Sequence, residues 1–179
     1  MKGVVFTEFF EFVEGEYSPE FLQETISESQ IASGGVYTSV GTYPVCEMGA
    51  LVGTLAKRTG HDTSLLLNLF GRHLFRYFHA SSPHFFEGVN CPFDLLASVE
   101  TKIHVDVKKL YPDAELPTFE ILEHSPDRFV MNYKSARGLG DLCEGLIEEC
   151  LLHFGKPASI SRELKSEDPL TVIQFTLQA

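Results

Sequence analysis

The stretch RFVMNYKSARG, residues Arg128 to Gly138, reads as a β-strand that changes character halfway. Side chains alternate between the two faces of a strand. Tyr133, Ser135 and Arg137 therefore share one face, and Asn132, Lys134 and Ala136 share the other. Upstream, Phe129, Val130 and Met131 provide apolar surface, but from Asn132 onward neither face does. The i, i+2, i+4 ladder places a phenol, a hydroxyl and a guanidinium in one line, about 6 to 7 Å between successive members. An arginine fork matches a carboxylate bidentately. Tyrosine and serine hydroxyls add bonds to the same or a neighbouring oxygen. Two readings fit this spacing equally: an edge strand with solvated polar residues, and a cradle for a buried pair of carboxylates.

Outward from this strand, the texture of the chain differs on the two sides. Upstream it is helical. GVVFTEFFEFVEGEY carries Val5, Phe6, Phe9, Phe10 and Val13 near helical spacing. SPEFLQETISES opens with Ser18 before Pro19, a helix start. CEMGALVGTLAKRTG closes at Gly60, and DTSLLLNLFGRHLFRYFHAS is a long helix with Asp62 as its expected cap. Gly71 lies inside that helix, where glycine costs about 1 kcal/mol relative to alanine, so close approach by a bulky neighbour is expected. CPFDLLASVETKIHVDVKKLYP reads as one further helix, from Pro92 to just before Pro112.

From Pro117 the periodicity shortens. PTFEILEHSPDRFVMNYKSA reads as a hairpin turning at HSPDR, GDLCEGLIEECLLHFG as a helix ended by Gly155, and ASISRELKSEDPLTVIQFTLQ as two strands. The expected fold class is α+β: a mainly helical N-terminal part followed by a small antiparallel sheet with an inserted helix. No linker or repeat divides the chain. It is expected to form a single domain over 1–179, helical over about 1–112 and sheet-containing over about 113–179.

A chain of 179 residues supports one good core, and its net charge of -11 disfavours nucleic acid or an anionic membrane as a main partner. The start MKGVVFTEFFEF is too acidic for a secretory leader, and no apolar run reaches membrane-spanning length. The expected compartment is the cytoplasm. Cys46, Cys91, Cys143 and Cys150 form no CxxC pair, so a disulfide framework is not expected. Cys143, Cys150 and His153 fall near one helix face. Either they begin a metal site, which lacks a fourth ligand, or they are buried thiols beside a surface histidine. There is no phosphate loop, GxSxG or HExxH.

His104 in TKIHVDVKK is set apart by its position. Projected at 100° per residue, the apolar arc holds Leu96, Val99, Ile103 and Leu110, and His104 lies at its flank. It is either a satisfied boundary residue or, as a neutral imidazole, an axial ligand for heme iron. In the second case the carboxylates facing Tyr133, Ser135 and Arg137 are heme propionates.

Taken together, these residues resemble the heme-nitric oxide/oxygen binding (H-NOX) family, related to the heme domain of soluble guanylate cyclase. The resemblance spans essentially the whole chain. Its most specific motif is Tyr-x-Ser-x-Arg, present as Tyr133, Ser135 and Arg137, preceded at the family's distance by helical His104. MKG at Met1–Gly3, GR at Gly71 and Arg72, and LP at Leu116 and Pro117 agree as well.

The resemblance implies heme b as cofactor, with His104 as its proximal iron ligand and Tyr133, Ser135 and Arg137 on its propionates. It implies that Pro117 packs against the heme and helps distort it. Val5, Phe9, Leu74, Phe78, Leu142 and Leu146 match positions lining the distal and surrounding pocket. Oxygen-binding members carry a tyrosine after the motif, supported by a tryptophan and an asparagine; the matching residues here are Leu142, Phe9 and Leu74. Bound dioxygen becomes superoxide-like and needs a hydrogen-bond donor, worth about 1.5 to 3 kcal/mol for a charged acceptor, or roughly tenfold to a hundredfold in affinity. Nitric oxide needs little of this.

The expectation is therefore a sensor, not an enzyme, selective for nitric oxide over dioxygen and also binding carbon monoxide. The resemblance implies a bacterial stand-alone member that signals through a separate effector such as a histidine kinase or a cyclic-di-GMP enzyme. A heme-dependent redox enzyme or an oxygen-binding heme protein is the competing expectation. An enzyme would need a distal acid–base residue, and the inferred pocket has none. Some members carry a cysteine/histidine zinc site near the C-terminus. Cys143 fits the start of one, but SRELKSEDPLTVIQ contains neither cysteine nor histidine, which argues against it.

Overall fold

The computed structural model describes all residues from Met1 to Ala179. Four helices come first: α1 (Gly3–Glu16), α2 (Pro19–Ser29), α3 (Val45–Thr59) and α4 (Thr63–Ser81). Their starts and stops follow local chemistry. Ser18 Oγ accepts a bond from the Phe21 amide at 3.2 Å with Pro19 in the first turn of α2, which satisfies one of the orphan donors of a helix start. Asp62 does precede α4, but its side chain makes no capping bond. Phe6, Phe9, Phe12, Leu51, Phe70 and Leu74 are among the 13 buried residues of the core that these helices enclose.

The expected single helix from Pro92 is broken. It runs as α5 (Pro92–Ser98), a π turn (Val99–Ile103) and α6 (His104–Leu110). The His104 amide donates to the Val99 carbonyl, five residues back instead of four. An inserted residue of this kind rotates everything downstream by about 100°. The projected apolar arc fails for that reason: Leu110, assigned to it, is 74% exposed.

The sheet has four antiparallel strands, β1 (Thr118–His124), β2 (Arg128–Ser135), β3 (Ser159–Ser166) and β4 (Thr171–Gln178), in the order β1-β2-β4-β3. The expected hairpin pairs Phe119 with Tyr133. β2 is flanked by β1 and β4 along its length, so it is a central strand and the edge-strand reading is wrong. The strand also stops sooner than expected. It ends at Ser135, and Ala136 and Arg137 form a turn leading to Gly138, whose φ of +64° suits glycine.

α7 (Gly140–His153) lies between β2 and β3 in the chain and packs across α4. The contact is reciprocal and backbone-close. A Cβ at Gly71 would overlap the Leu142 carbonyl, and one at Gly145 would overlap the Asn68 carbonyl. The close neighbour expected at Gly71 is thus the α7 backbone. The inner face of the sheet, α5, α7 and Phe75 of α4 enclose a second core of 14 buried residues. Leu146 of α7 is the partly buried side chain that packs against both cores. No helix is long and apolar enough to cross a membrane.

Candidate functional site

β2 separates its polar residues cleanly. Phe129, Met131, Tyr133 and Ser135 form the buried face. On the opposite face Lys134 pairs with Glu120 at 2.8 Å and Asn132 donates to the same carboxylate at 3.0 Å. Tyr133 and Ser135 therefore continue the core-facing row, and Asn132 and Lys134 belong to a solvated cross-strand cluster. Burial pushes the Tyr133 phenol up, with Ser135 and the Leu139 backbone acting weakly the other way.

Ser135 Oγ accepts a bond from the Arg137 amide at 3.1 Å, which folds the turn back and sets the arginine. The Arg137 guanidinium donates to Glu115 at 2.9 Å; Arg137 is mostly buried and Glu115 is 85% exposed. Both line a cavity of about 380 Å³ with Met1, Lys2 and Asp113. The Met1 ammonium donates to the Tyr43 carbonyl at 2.7 Å, and burial followed by the nearby Arg137 charge lowers its pKa.

His104 opens α6 directly after the π turn. Its Nδ1 lies 3.3 Å from Glu100 Oε2, and that oxygen also accepts the Phe119 amide of β1 at 3.1 Å. Burial lowers the His104 pKa, with Glu100 opposing, which favours the neutral imidazole that ligates metals. Phe119 places its ring 5.7 Å from His104 and 5.8 Å from Tyr133, joining the histidine to the β2 row. Pro117 is half-buried just before β1. Sequence reasoning missed Glu100, Glu115 and Phe119. The i, i+4 spacing of Glu100 and His104 was a readable signal for the first.

On the other side, Phe9 and Leu74 are buried in the helical core, with Val5, Leu142 and Leu146 packed against it. Phe9 meets Phe70 edge-on at 5.2 Å. Phe78 joins neither core and is 36% exposed, its ring 5.6 Å from that of Tyr77. The tyrosines on this core have their hydroxyls engaged: Tyr37 donates to Glu47 at 2.6 Å, and Tyr43 Oη accepts from the Thr38 amide at 2.9 Å. His73 Nε2 lies 3.1 Å from Glu8. Cys143 and Cys150 are both buried, and burial pushes the Cys150 thiol up to about 12. His153 instead stacks near His79, ring centres 4.3 Å apart. No three histidine, cysteine or acidic side chains are placed to hold a metal ion.

Two observations test whether this chain suits a heme. The Arg137 fork already holds a carboxylate, that of Glu115, in the place where the strand motif predicts propionates. His104 directs its Nδ1 to Glu100 and makes no hydrogen bond through Nε2. A dicarboxylate macrocycle whose metal would take a histidine ligand fits both.

The profile of the haem-NO-binding family matches residues 2–162. The chain belongs to the H-NOX family. H-NOX domains bind heme and act as gas sensors. The Fe(II) unliganded H-NOX protein from K. algicida is 38% identical, covers 99% of this chain and 96% of its own, and superposes with a TM-score of 0.92. The H-NOX from Shewanella woodyi, solved in solution with IWP-051 in the Fe(II)CO state, is 34% identical over 99% and 94% with a TM-score of 0.84. An H-NOX of T. tengcongensis shares the fold, with a TM-score of 0.89 at 20% identity over 99% and 97%. No curated protein matches the chain significantly. The helical part followed by a four-stranded antiparallel sheet is the architecture of these H-NOX structures.

Proposed function

We propose that the chain, as one unit over 1–179, is a gas sensor that holds heme b and binds nitric oxide in preference to dioxygen. When bound, the heme would supply an iron able to bind a diatomic gas. The observation that carries the selectivity is the composition of the helical side. Phe9, Leu74 and Leu142 present only hydrocarbon, and the nearby Tyr37 and Tyr43 hydroxyls are committed elsewhere. Without a donor, a charged oxygen ligand loses about 1.5 to 3 kcal/mol of stabilisation, and carbon monoxide and nitric oxide lose little.

On the sheet side, His104 would bond the iron through Nε2, and Tyr133, Ser135 and Arg137 would hold the propionates. Pro117, on the approach to β1, would pack against the macrocycle, and Leu146 would complete the wall with Val5; the outward-facing Phe78 would border it only at the rim. His104, which opens α6 and is tied through Glu100 to β1, would couple the occupancy of the site to the packing of α6 against the sheet. Such coupling would make a two-state element biased by ligand affinity. The Shewanella woodyi relative was solved with carbon monoxide bound, which supports the gas class. The signal passes in the cytoplasm to a separate effector, a histidine kinase or a cyclic-di-GMP enzyme, and no nucleic acid or membrane takes part.

Absorption spectroscopy of the purified, heme-loaded chain tests this. The expected result is a Soret band that shifts with nitric oxide and with carbon monoxide and stays in place when the reduced protein meets air. A stable dioxygen complex overturns the selectivity, and failure to retain heme under adequate supply overturns the whole reading.

A further inference from the structure

The geometry points to Glu100 as the positioning residue of the proximal histidine, fixing the His104 ring and raising its strength as an electron donor. The inference rests on the reading of His104 as iron ligand. One Glu100 oxygen sits between two donors from different parts of the fold: the His104 imidazole at 3.3 Å and the Phe119 amide of β1 at 3.1 Å. The strand amide belongs to the backbone of the sheet, so it anchors the carboxylate. The carboxylate in turn selects the tautomer with the proton on Nδ1, which leaves the Nε2 lone pair for a metal. A ligating histidine whose second nitrogen donates to a carboxylate is a better electron donor and is held in one orientation.

The pair sits where the π turn passes into α6. Glu100 lies within it and His104 follows it, with the His104 amide bonded to the Val99 carbonyl. Thr101 and Lys102, the other charged or polar residues of the turn, are exposed, so within the turn Glu100 is the partner of the histidine, and Lys108 of α6 is the other charged group acting on it. The histidine is the more buried member of the pair, at 15% side-chain exposure against 39% for the glutamate. The contact is therefore shielded from water on its functional side. Through Phe119 the same carboxylate also ties the histidine to the strand paired with the Tyr133 row.

The test uses the full-length, heme-loaded, ferrous protein. Resonance Raman reads the iron–histidine stretch in the unchanged chain and in Glu100→Gln, Glu100→Ala and Thr101→Ala. Glutamine keeps an acceptor for both donors and loses the charge; alanine loses both. The stretch is expected to fall stepwise from glutamate to glutamine to alanine and to hold in Thr101→Ala. Heme loss to an excess of apomyoglobin is expected to quicken by about tenfold in the alanine variant. An unchanged stretch in both Glu100 variants, with only a lower melting temperature, makes Glu100 structural and overturns the inference. Where alanine prevents folding, glutamine alone decides. A His104→Gly chain whose ferrous spectrum matches the unchanged protein, without added imidazole, overturns the ligand reading itself instead.

Discussion

The helical core and the sheet core are nearly equal in size and opposite in chemistry. The helical core is built from hydrocarbon, with Phe6, Phe9, Phe12 and Phe70 at its centre, and polar groups beside it are satisfied among themselves. The sheet core carries Tyr133 on its inner row, with Ser135, Arg137, His104 and Glu100 at its border. The sequence-predicted polar site residues lie at the sheet core, whereas the ionisable groups beside the helical core, His73 with Glu8 and Glu47 with Tyr37, are paired with one another. Such a division separates two tasks. On the proposed function, retention of the cofactor would fall to one core and discrimination among its ligands to the other.

The two cores meet where α4 crosses α7, so the sharpest way to break the comparison is to force them apart. Gly145→Ala places a methyl group onto the Asn68 carbonyl, and its nearest neighbours there are backbone atoms that cannot swing away. Overpacking of this kind costs about 3 kcal/mol. Urea titration should show a lower midpoint. A midpoint within error of the unchanged protein would mean the helices slide apart freely.

The next prediction divides the two faces of β2. Arg137→Ala removes charge-assisted hydrogen bonds worth about 2 kcal/mol, close to thirtyfold in heme retention. Lys134→Ala, on the solvated face beside Glu120, should leave retention within about twofold, since exposed pairs contribute little. Heme transfer rates measured side by side compare them. Equal losses in both would erase the distinction between the faces.

The helical side is probed by adding what it lacks. Leu142→Tyr brings a phenol beside Phe9 and Leu74 and is expected to raise dioxygen affinity by about tenfold, the lower end of what one donor supplies. Further changes at Phe9 and Leu74 should be needed for a stable complex. Oxygen titration of the reduced variant against the parent reads the effect, and no gain in affinity would mean the new hydroxyl bonds elsewhere.

Much of this arrangement was legible in the sequence because periodicity carries it. The period-2 alternation of β2 located Tyr133 and Ser135 on one face, and helical spacing placed Val5 and Phe9 on the first helix; the matching of Val5, Phe9 and Leu74 to one wall came only from the family resemblance. What stayed hidden was where a period is interrupted. The π turn at Val99–Ile103 adds a residue that no fixed angle per residue anticipates, so Leu110 was assigned to the wrong side. The strand motif suggested an unbroken ladder through Arg137, yet Gly138 bends the chain and Arg137 leaves the strand. Pairings across long loops were equally invisible. Glu115 lies 22 residues from its partner Arg137, and nothing in the spacing links them.

That last pairing gives the smallest and most discriminating test. Glu115 occupies the Arg137 fork with the same functional group that a propionate would bring, so the two compete for one site. Glu115 is 85% exposed and returns to water at little cost, whereas Arg137 is mostly buried and gains from any anion. Removing the competitor should therefore favour the cofactor. Glu115→Gln is expected to slow heme loss by about twofold, in keeping with the small worth of a solvent-facing pair, and to lower the melting temperature of the heme-free chain slightly. If heme loss quickens instead, Glu115 supports Arg137 in the loaded protein as well, and the sheet side holds its cofactor with the help of an acid rather than against it.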